Sequence, residues 1–194
     1  MSPAGAWRLG VCVLLLLASW SAPAAASPGL AFDPASSRFG FELRTRWGLK
    51  LDGRFPEFEG GVTTLPDGRQ VVRLRMLTEY VEIEGYPRYT EWTRGSQFFD
   101  ADRYPAVVFV SRPYDPALLG SGGALAGELT IRGITRPKTL DLAPSTCARP
   151  AVDCEVVATG TVRRSHYDMD GWMMAVGDRV VFVLRARLHP GAVP

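Results

Sequence analysis

His166, Asp168 and Asp170 are the side chains best suited to chemistry in this sequence: an imidazole and two carboxylates at alternate positions. On a strand the three would share one face, as metal ligands or acid–base groups must. No H-E-x-x-H accompanies them, and the second histidine, His189, stands near the C-terminus. The alternation therefore reads as the solvated side of a strand, and no metal site is assigned. Nucleophilic chemistry has no better footing, because there is no G-x-S-x-G elbow. Gly120-Ser121-Gly122-Gly123 lacks the lysine and spacing of a phosphate loop and reads as a turn. Arg88, Tyr89, Trp92 and Arg94 mix cations and aromatics, but the chain carries a formal charge of only +2, which gives no reason to expect nucleic acid. No catalytic residue and no cofactor is assigned.

The cysteines depend on compartment. Arg8, an apolar run from Leu9 to Trp20 and the stretch Ala22-Pro23-Ala24-Ala25-Ala26 have the order of a secretory signal peptide. The run falls short of the roughly 20 apolar residues that span a bilayer. Residues 1–26 are thus expected to be a signal peptide cleaved near Ala26, and residues 27–194 a single exported domain with no transmembrane segment. Removing Arg8 from the 22 basic residues leaves 21 against 20 acids. Asparagine is absent and lysine is confined to Lys50 and Lys138, a bias expected of a GC-rich bacterial genome. The expected location is the periplasm or outside the cell. In such a compartment Cys147 and Cys154 are expected to pair as a disulfide.

The elements that would position any site alternate with period two. Phe39, Phe41, Leu43, Thr45 and Trp47 oppose Gly40, Glu42, Arg44 and Arg46. Val72, Leu74 and Met76 form a second set, Val81 and Ile83 a third, Val107 and Phe109 a fourth. Near the C-terminus Val180, Phe182, Leu184, Ala186 and Leu188 form another. The segment Gly127–Leu142 reads as a hairpin, with Leu129 and Ile131 on one face before Gly133 and Leu140 and Leu142 after it. With a strand near Glu155–Val162, about eight antiparallel strands are predicted. Pattern alone leaves sandwich and barrel open. Trp47–Phe55 is read as holding a helical turn, and Tyr89–Tyr104 as a short helix or irregular crossing before Pro105.

Two segments carry a family resemblance. Phe98-Phe99-Asp100 through Tyr104-Pro105 to Phe109 and Ser111, read with Gly127-Glu128-Leu129-Thr130-Ile131-Arg132-Gly133-Ile134-Thr135-Arg136-Pro137, resembles the YceI-like family of exported bacterial proteins. Phe41–Phe55 with Phe58-Glu59-Gly60 is similar to the family's first strand, short helix and return strand. Arg164–Met169 and Gly177–Leu188 are similar to its late motif and last strand. The resemblance implies an all-β fold: an extended, lipocalin-like, eight-stranded antiparallel barrel with one or two short helices, and an isoprenoid tail along its interior. There are departures. Thr45, and a position near Trp92, stand where many members carry histidine, and Asp168 replaces a usual glycine.

Together these readings predict a non-catalytic binding or carrier protein for an isoprenoid-type lipid or quinone-like amphiphile. The expected apolar pocket comprises Phe39, Phe41, Leu43, Phe55, Met76, Phe109, Leu129, Ile131 and Phe182, with Trp47, Met169 and Trp172 at its mouth. Two alternatives stay open: a small exported enzyme using His166 or Asp168, and an accessory module docking a membrane redox partner through an arginine-rich face. A homodimer is also left open.

Overall fold

In a computed structural model, residues 29–189 are described; the segment expected to be a signal peptide lies outside them. The chain folds into one antiparallel sheet. Its strands are β1 (Gly29–Ala31), β2 (Arg38–Thr45), β3 (Lys50–Phe55), β4 (Phe58–Thr64), β5 (Gln70–Leu77), β6 (Glu82–Ile83), β7 (Ala106–Ser111), β8 (Gly123–Ile131), β9 (Ile134–Leu142), β10 (Val156–Arg163) and β11 (Val176–Ala186). In space the order is β1-β4-β5-β7-β8-β9-β10-β11-β2-β3-β6. Helix α1 (Pro87–Arg94) and the short α2 (Leu118–Ser121) interrupt the strands. The sheet curls on itself. Just after β1, Phe32 forms a bridge to Leu188 beyond β11, and the His189 amide donates to the Ala31 carbonyl, so the first strand ties β4 to the end of β11.

Alternation dictates the curl. Phe39, Phe41 and Leu43 of β2, Leu74 and Met76 of β5, Val107 and Phe109 of β7, and Val180, Phe182 and Leu184 of β11 are all buried. Each full burial of such a side chain contributes about 1.5–3 kcal/mol. The Gly127–Leu142 hairpin is present and longer than its sequence pattern suggested, starting at Gly123. Its turn is the two residues Arg132 and Gly133, both at positive φ (50° and 73°), which suits the right-handed twist of the flanking strands.

Eleven strands replace the eight expected: β6 is the short strand read from Val81 and Ile83, whereas β1 has only three residues and β3 and β4 hide their pattern. The helical turn expected within Trp47–Phe55 does not form as a connector. The Thr45 and Leu49 backbones pair across a tight turn, the Leu49 amide also donates to the Thr45 hydroxyl, and β3 runs straight back along β2. Gly53 is what disguises β3. It lies opposite Phe41, whose ring folds over it, and a Cβ there would sit 2.2 Å from the ring. Leu51, Gly53 and Phe55 therefore do alternate inward, with the middle place filled by the neighbour's phenyl group.

A loop between β9 and β10 covers one end of the barrel. Its Ala151 is buried, the Leu188 amide donates to the Ala151 carbonyl at 2.6 Å, and the Arg187 guanidinium donates to the Val152 and Asp153 carbonyls. Cys147 and Cys154 are disulfide-bonded across this loop. Closing so short a loop constrains the unfolded chain by about 2.5 kcal/mol. The paired Cys147→Ser, Cys154→Ser variant is expected to lose that amount in a urea unfolding titration. An unchanged midpoint would mean that the Arg187 and Leu188 contacts hold the loop alone.

Candidate functional site

The opposite end of the barrel is its mouth, and three pieces of chain build it. The first is the β2–β3 turn carrying Trp47. The second is α1, which begins at Pro87, a residue suited to the first helical turn. Spacing of three puts Tyr86, Tyr89 and Trp92 in one stack, with centroids 5.2 and 5.3 Å apart. The Ile83 amide donates to the Thr90 hydroxyl and the Arg94 guanidinium donates to the Val81 carbonyl, so the helix is fixed to the chain before it. The third piece is the loop between β10 and β11. It begins with a tight turn at Arg164–Tyr167 and carries Trp172, whose indole meets Trp92 at 4.5 Å.

Arg164 organises that loop from beneath. Its side chain is buried, yet it donates to four carbonyls: Met169 at 2.7 Å, Gly177 at 3.0 Å, Gly171 at 3.1 Å and Val176 at 3.2 Å. Phe98 covers the guanidinium with its ring, 5.3 Å away. Burial pushes the Arg164 group down from its ordinary value, while Asp178 and Asp170 pull the other way. Asp178 in turn accepts from the Ser165 amide and hydroxyl. Burial raises the Asp178 carboxyl, but those two hydrogen bonds and the nearby arginines outweigh it and hold the group below its usual value. Trp172 sits at φ +62°, a region that bulky residues seldom adopt, and its carbonyl accepts from both the Ala175 and Val176 amides.

Between these pieces lies a cleft of about 170 Å³, lined by Leu43, Thr45, Trp47, Leu51, Ile83, Tyr89, Trp92, Thr93, Phe98, Trp172, Ala175 and Val176. Its only hydroxyl groups outside Tyr89 are already engaged: Thr45 accepts from the Leu49 amide, and Thr93 donates to the Tyr89 carbonyl at 2.7 Å. No ionisable carboxylate, imidazole or amine is among the lining residues. A space of about this size, lined by apolar groups, holds a benzene-sized body. The cleft can therefore bind a flat or branched apolar group by burial and aromatic contact.

The residues expected to form the pocket fall in three places. Leu43, Trp47 and Trp172 line the cleft. Phe41, Ile131, Met169 and Phe182 surround a void of about 30 Å³ deeper in the barrel, which shares Leu43, Thr93 and Phe98 with the cleft. Met169 is buried, below the rim and not on it. Phe39 and Phe109 line a separate void of about 60 Å³ toward the disulfide loop. Phe55, Met76 and Leu129 are packed core. Sequence reasoning passed over Leu51, Ile83, Tyr89, Trp92, Thr93 and Phe98. A signal existed for Tyr86, Tyr89 and Trp92, whose spacing marks one face of a helical turn.

His166 and Asp168 lie elsewhere. They are exposed in the tight turn after β10, so the strand face imagined for them with Asp170 does not exist. Among the described residues, no cluster of three or more His, Cys, Asp or Glu side chains could hold a metal. Asp168 has φ +53°, a left-handed conformation natural to glycine, which accounts for the residue usual at that place in the related pattern. Thr45 and Trp92, at or beside the two departures from histidine, both line the cleft.

A curled antiparallel sheet with an apolar cleft at one end defines the class of small lipocalin-like barrels. The chain belongs to the YceI-like family, whose domain model matches residues 30–188. A UPF0312 protein of Staphylococcus aureus is 23% identical over 150 residues, covering 72% of this chain and 81% of that protein. Among solved structures, Burkholderia cenocepacia BcnA is similar with a TM-score of 0.62 at 21% identity, over 80% of this chain and 98% of its own. A polyisoprenoid-binding domain from Saccharophagus degradans, implicated in plant cell wall breakdown, matches with a TM-score of 0.59 at 13% identity, over 82% and 98%. The Campylobacter jejuni YceI protein matches with a TM-score of 0.53 at 18% identity, over 72% and 85%. At these identities the structural likeness is one of fold.

Proposed function

We propose that the protein is an exported binding or carrier protein for an isoprenoid-type lipid or quinone-like amphiphile, held at the barrel mouth without chemical change. The observation that carries this reading is the cleft between Trp92, Trp172, Trp47 and Leu51, which is apolar on every side and opens outward. Membership of the YceI-like family and the fold shared with a polyisoprenoid-binding domain support the ligand class. The disulfide supports an oxidising compartment, with residues 1–26 as the export signal. The acid–base alternative has less beneath it, since His166 and Asp168 do not line the cleft.

Binding strength follows from burial. Each methylene-sized group removed from water contributes about 0.8 kcal/mol, and branched isoprene units meet aromatic walls closely. Native mass spectrometry of detergent-free protein, mixed with polyprenyl and quinone lipids, is expected to show a one-to-one lipid complex that survives transfer. A bare protein mass after such exposure would sink the reading.

A further inference from the structure

The rim of the cleft is unusually apolar for a surface in water: Trp47 is 68% exposed, Trp172 47% and Met174 90%. These groups form one patch. The Arg46 guanidinium donates to the Met173 carbonyl and the Arg46 amide to the Ala175 carbonyl, so the β2–β3 turn and the Trp172 loop are locked side by side. Trp172 meets Trp92, and the Tyr86–Tyr89–Trp92 stack extends the patch along α1. Arg88 lies 5.0 Å over the Trp92 ring.

Around this apolar tip runs positive charge. A wide trough on the outer face of β2, β10 and β11 is lined by Arg44, Arg46, Lys50, Arg163 and Arg179, with Glu42 and Asp178 as the acids among its lining residues. Lys50 is tied to Glu42 and Asp52, and Asp178 is held by Ser165. Arg44, Arg46, Arg163 and Arg179 have no carboxylate within salt-bridge distance among the described residues. Glu91, Asp168 and Asp170 are exposed acids on the rim segments themselves, against Arg46 and Arg88, so the positive charge of this face lies in the trough and not at the tip.

We propose that this rim is a docking face for a bilayer containing anionic phospholipid. Trp47, Trp172 and Met174 enter the interfacial layer, and Arg44, Arg46, Arg88, Arg163 and Arg179 meet the headgroups. The occupant must be apolar where the tryptophans and methionine project and anionic on the side of the trough. A bilayer surface has that order, and indole rings favour its boundary. A protein partner would need an acidic strip set beside an apolar patch to cover both tip and trough, whereas an anionic bilayer presents that order everywhere along its surface. Because the cleft opens in the same face, an apolar molecule could pass between bilayer and barrel without crossing water. The docking does not depend on what the cleft holds, so lipid vesicles without isoprenoid or quinone test it separately from the binding reading above.

The experiment is co-sedimentation of the purified protein with phosphatidylcholine vesicles, pure or mixed equally with phosphatidylglycerol. Binding to the mixed vesicles is expected to exceed binding to the neutral ones and to fall as salt rises. Brominated acyl chains are expected to quench tryptophan emission on the mixed vesicles only. Two arginines lost near an anionic surface cost roughly thirtyfold in binding, so the Arg46→Gln, Arg88→Gln variant should show that loss. Met174→Asp, at a position without packing, should weaken binding several-fold while leaving the thermal melt unchanged. Absence of binding to mixed vesicles at low salt would overturn the proposal. So would equal binding to both vesicle types, or binding without quenching. Capture of a protein through the same patch in the absence of vesicle binding would also overturn it.

Discussion

Replacing Arg164 by methionine is expected to lower the unfolding free energy by about 3–4 kcal/mol and to dissolve the ordered rim of the cleft. The buried guanidinium satisfies the carbonyls of Met169, Gly171, Val176 and Gly177, all within 3.2 Å. Methionine fills similar space but donates nothing, so carbonyls that folding removed from water are left without partners. Those carbonyls belong to the segment that holds Trp172 at positive φ. Once the loop relaxes, that strained conformation has nothing to maintain it. Lysine keeps the charge but has a single nitrogen, which cannot span four acceptors in a planar fork, so Arg164→Lys should recover only part of the loss. Chemical denaturation reads the first effect. Circular dichroism reads the second, because the Trp92 and Trp172 rings at 4.5 Å form a coupled pair whose signal should vanish. A wild-type midpoint in the methionine variant, with the tryptophan signal intact, would show that the loop is held by other means.

The parts of this molecule that were legible in its sequence are those where one strand supplies its own evidence. In β2 and β11, large side chains at every second position point inward because nothing but a sheet face would keep them at that period. The β8–β9 hairpin announces itself through Leu129, Ile131, Leu140 and Leu142. Strand β3 did not announce itself, since its inward Gly53 is small only because Phe41 occupies its place. Strand β1 is too short to show a period at all. The site was harder still. Trp92 and Trp172 meet across a large separation in sequence, and no local pattern joins a helix face to a loop held open by Arg164. Arg164 itself reads in sequence as one more basic residue beside Arg163; only the carbonyls around it give it a role.

The interior poses a different question, and Phe41→Ala answers it. Phe41 is buried among Phe55, Phe99 and Phe182, with ring centroids 5.6, 6.0 and 6.2 Å away. It stands beside the small void beneath the cleft, whose shared wall is Leu43, Thr93 and Phe98. The barrel is thus open at the mouth and packed below. Truncation to alanine is expected to cost about 3–5 kcal/mol of stability, from lost burial and the cavity left behind. The same cavity extends the cleft inward. For the wild-type protein, affinity for a series of prenyl alcohols should rise with chain length and level off once the mouth is filled. In the variant it should keep rising, by about 0.8 kcal/mol, roughly fourfold, for each further methylene-sized group the new space buries. Stability and long-chain affinity would then move in opposite directions, a result that general damage cannot produce. If affinity falls at every chain length along with stability, the ligand never passes Phe41 and the mouth cleft alone is the binding site. If the wild type itself shows no levelling, Phe41 swings aside on binding, and the aromatic cluster of Phe41, Phe55 and Phe99 is the gate of a deeper channel.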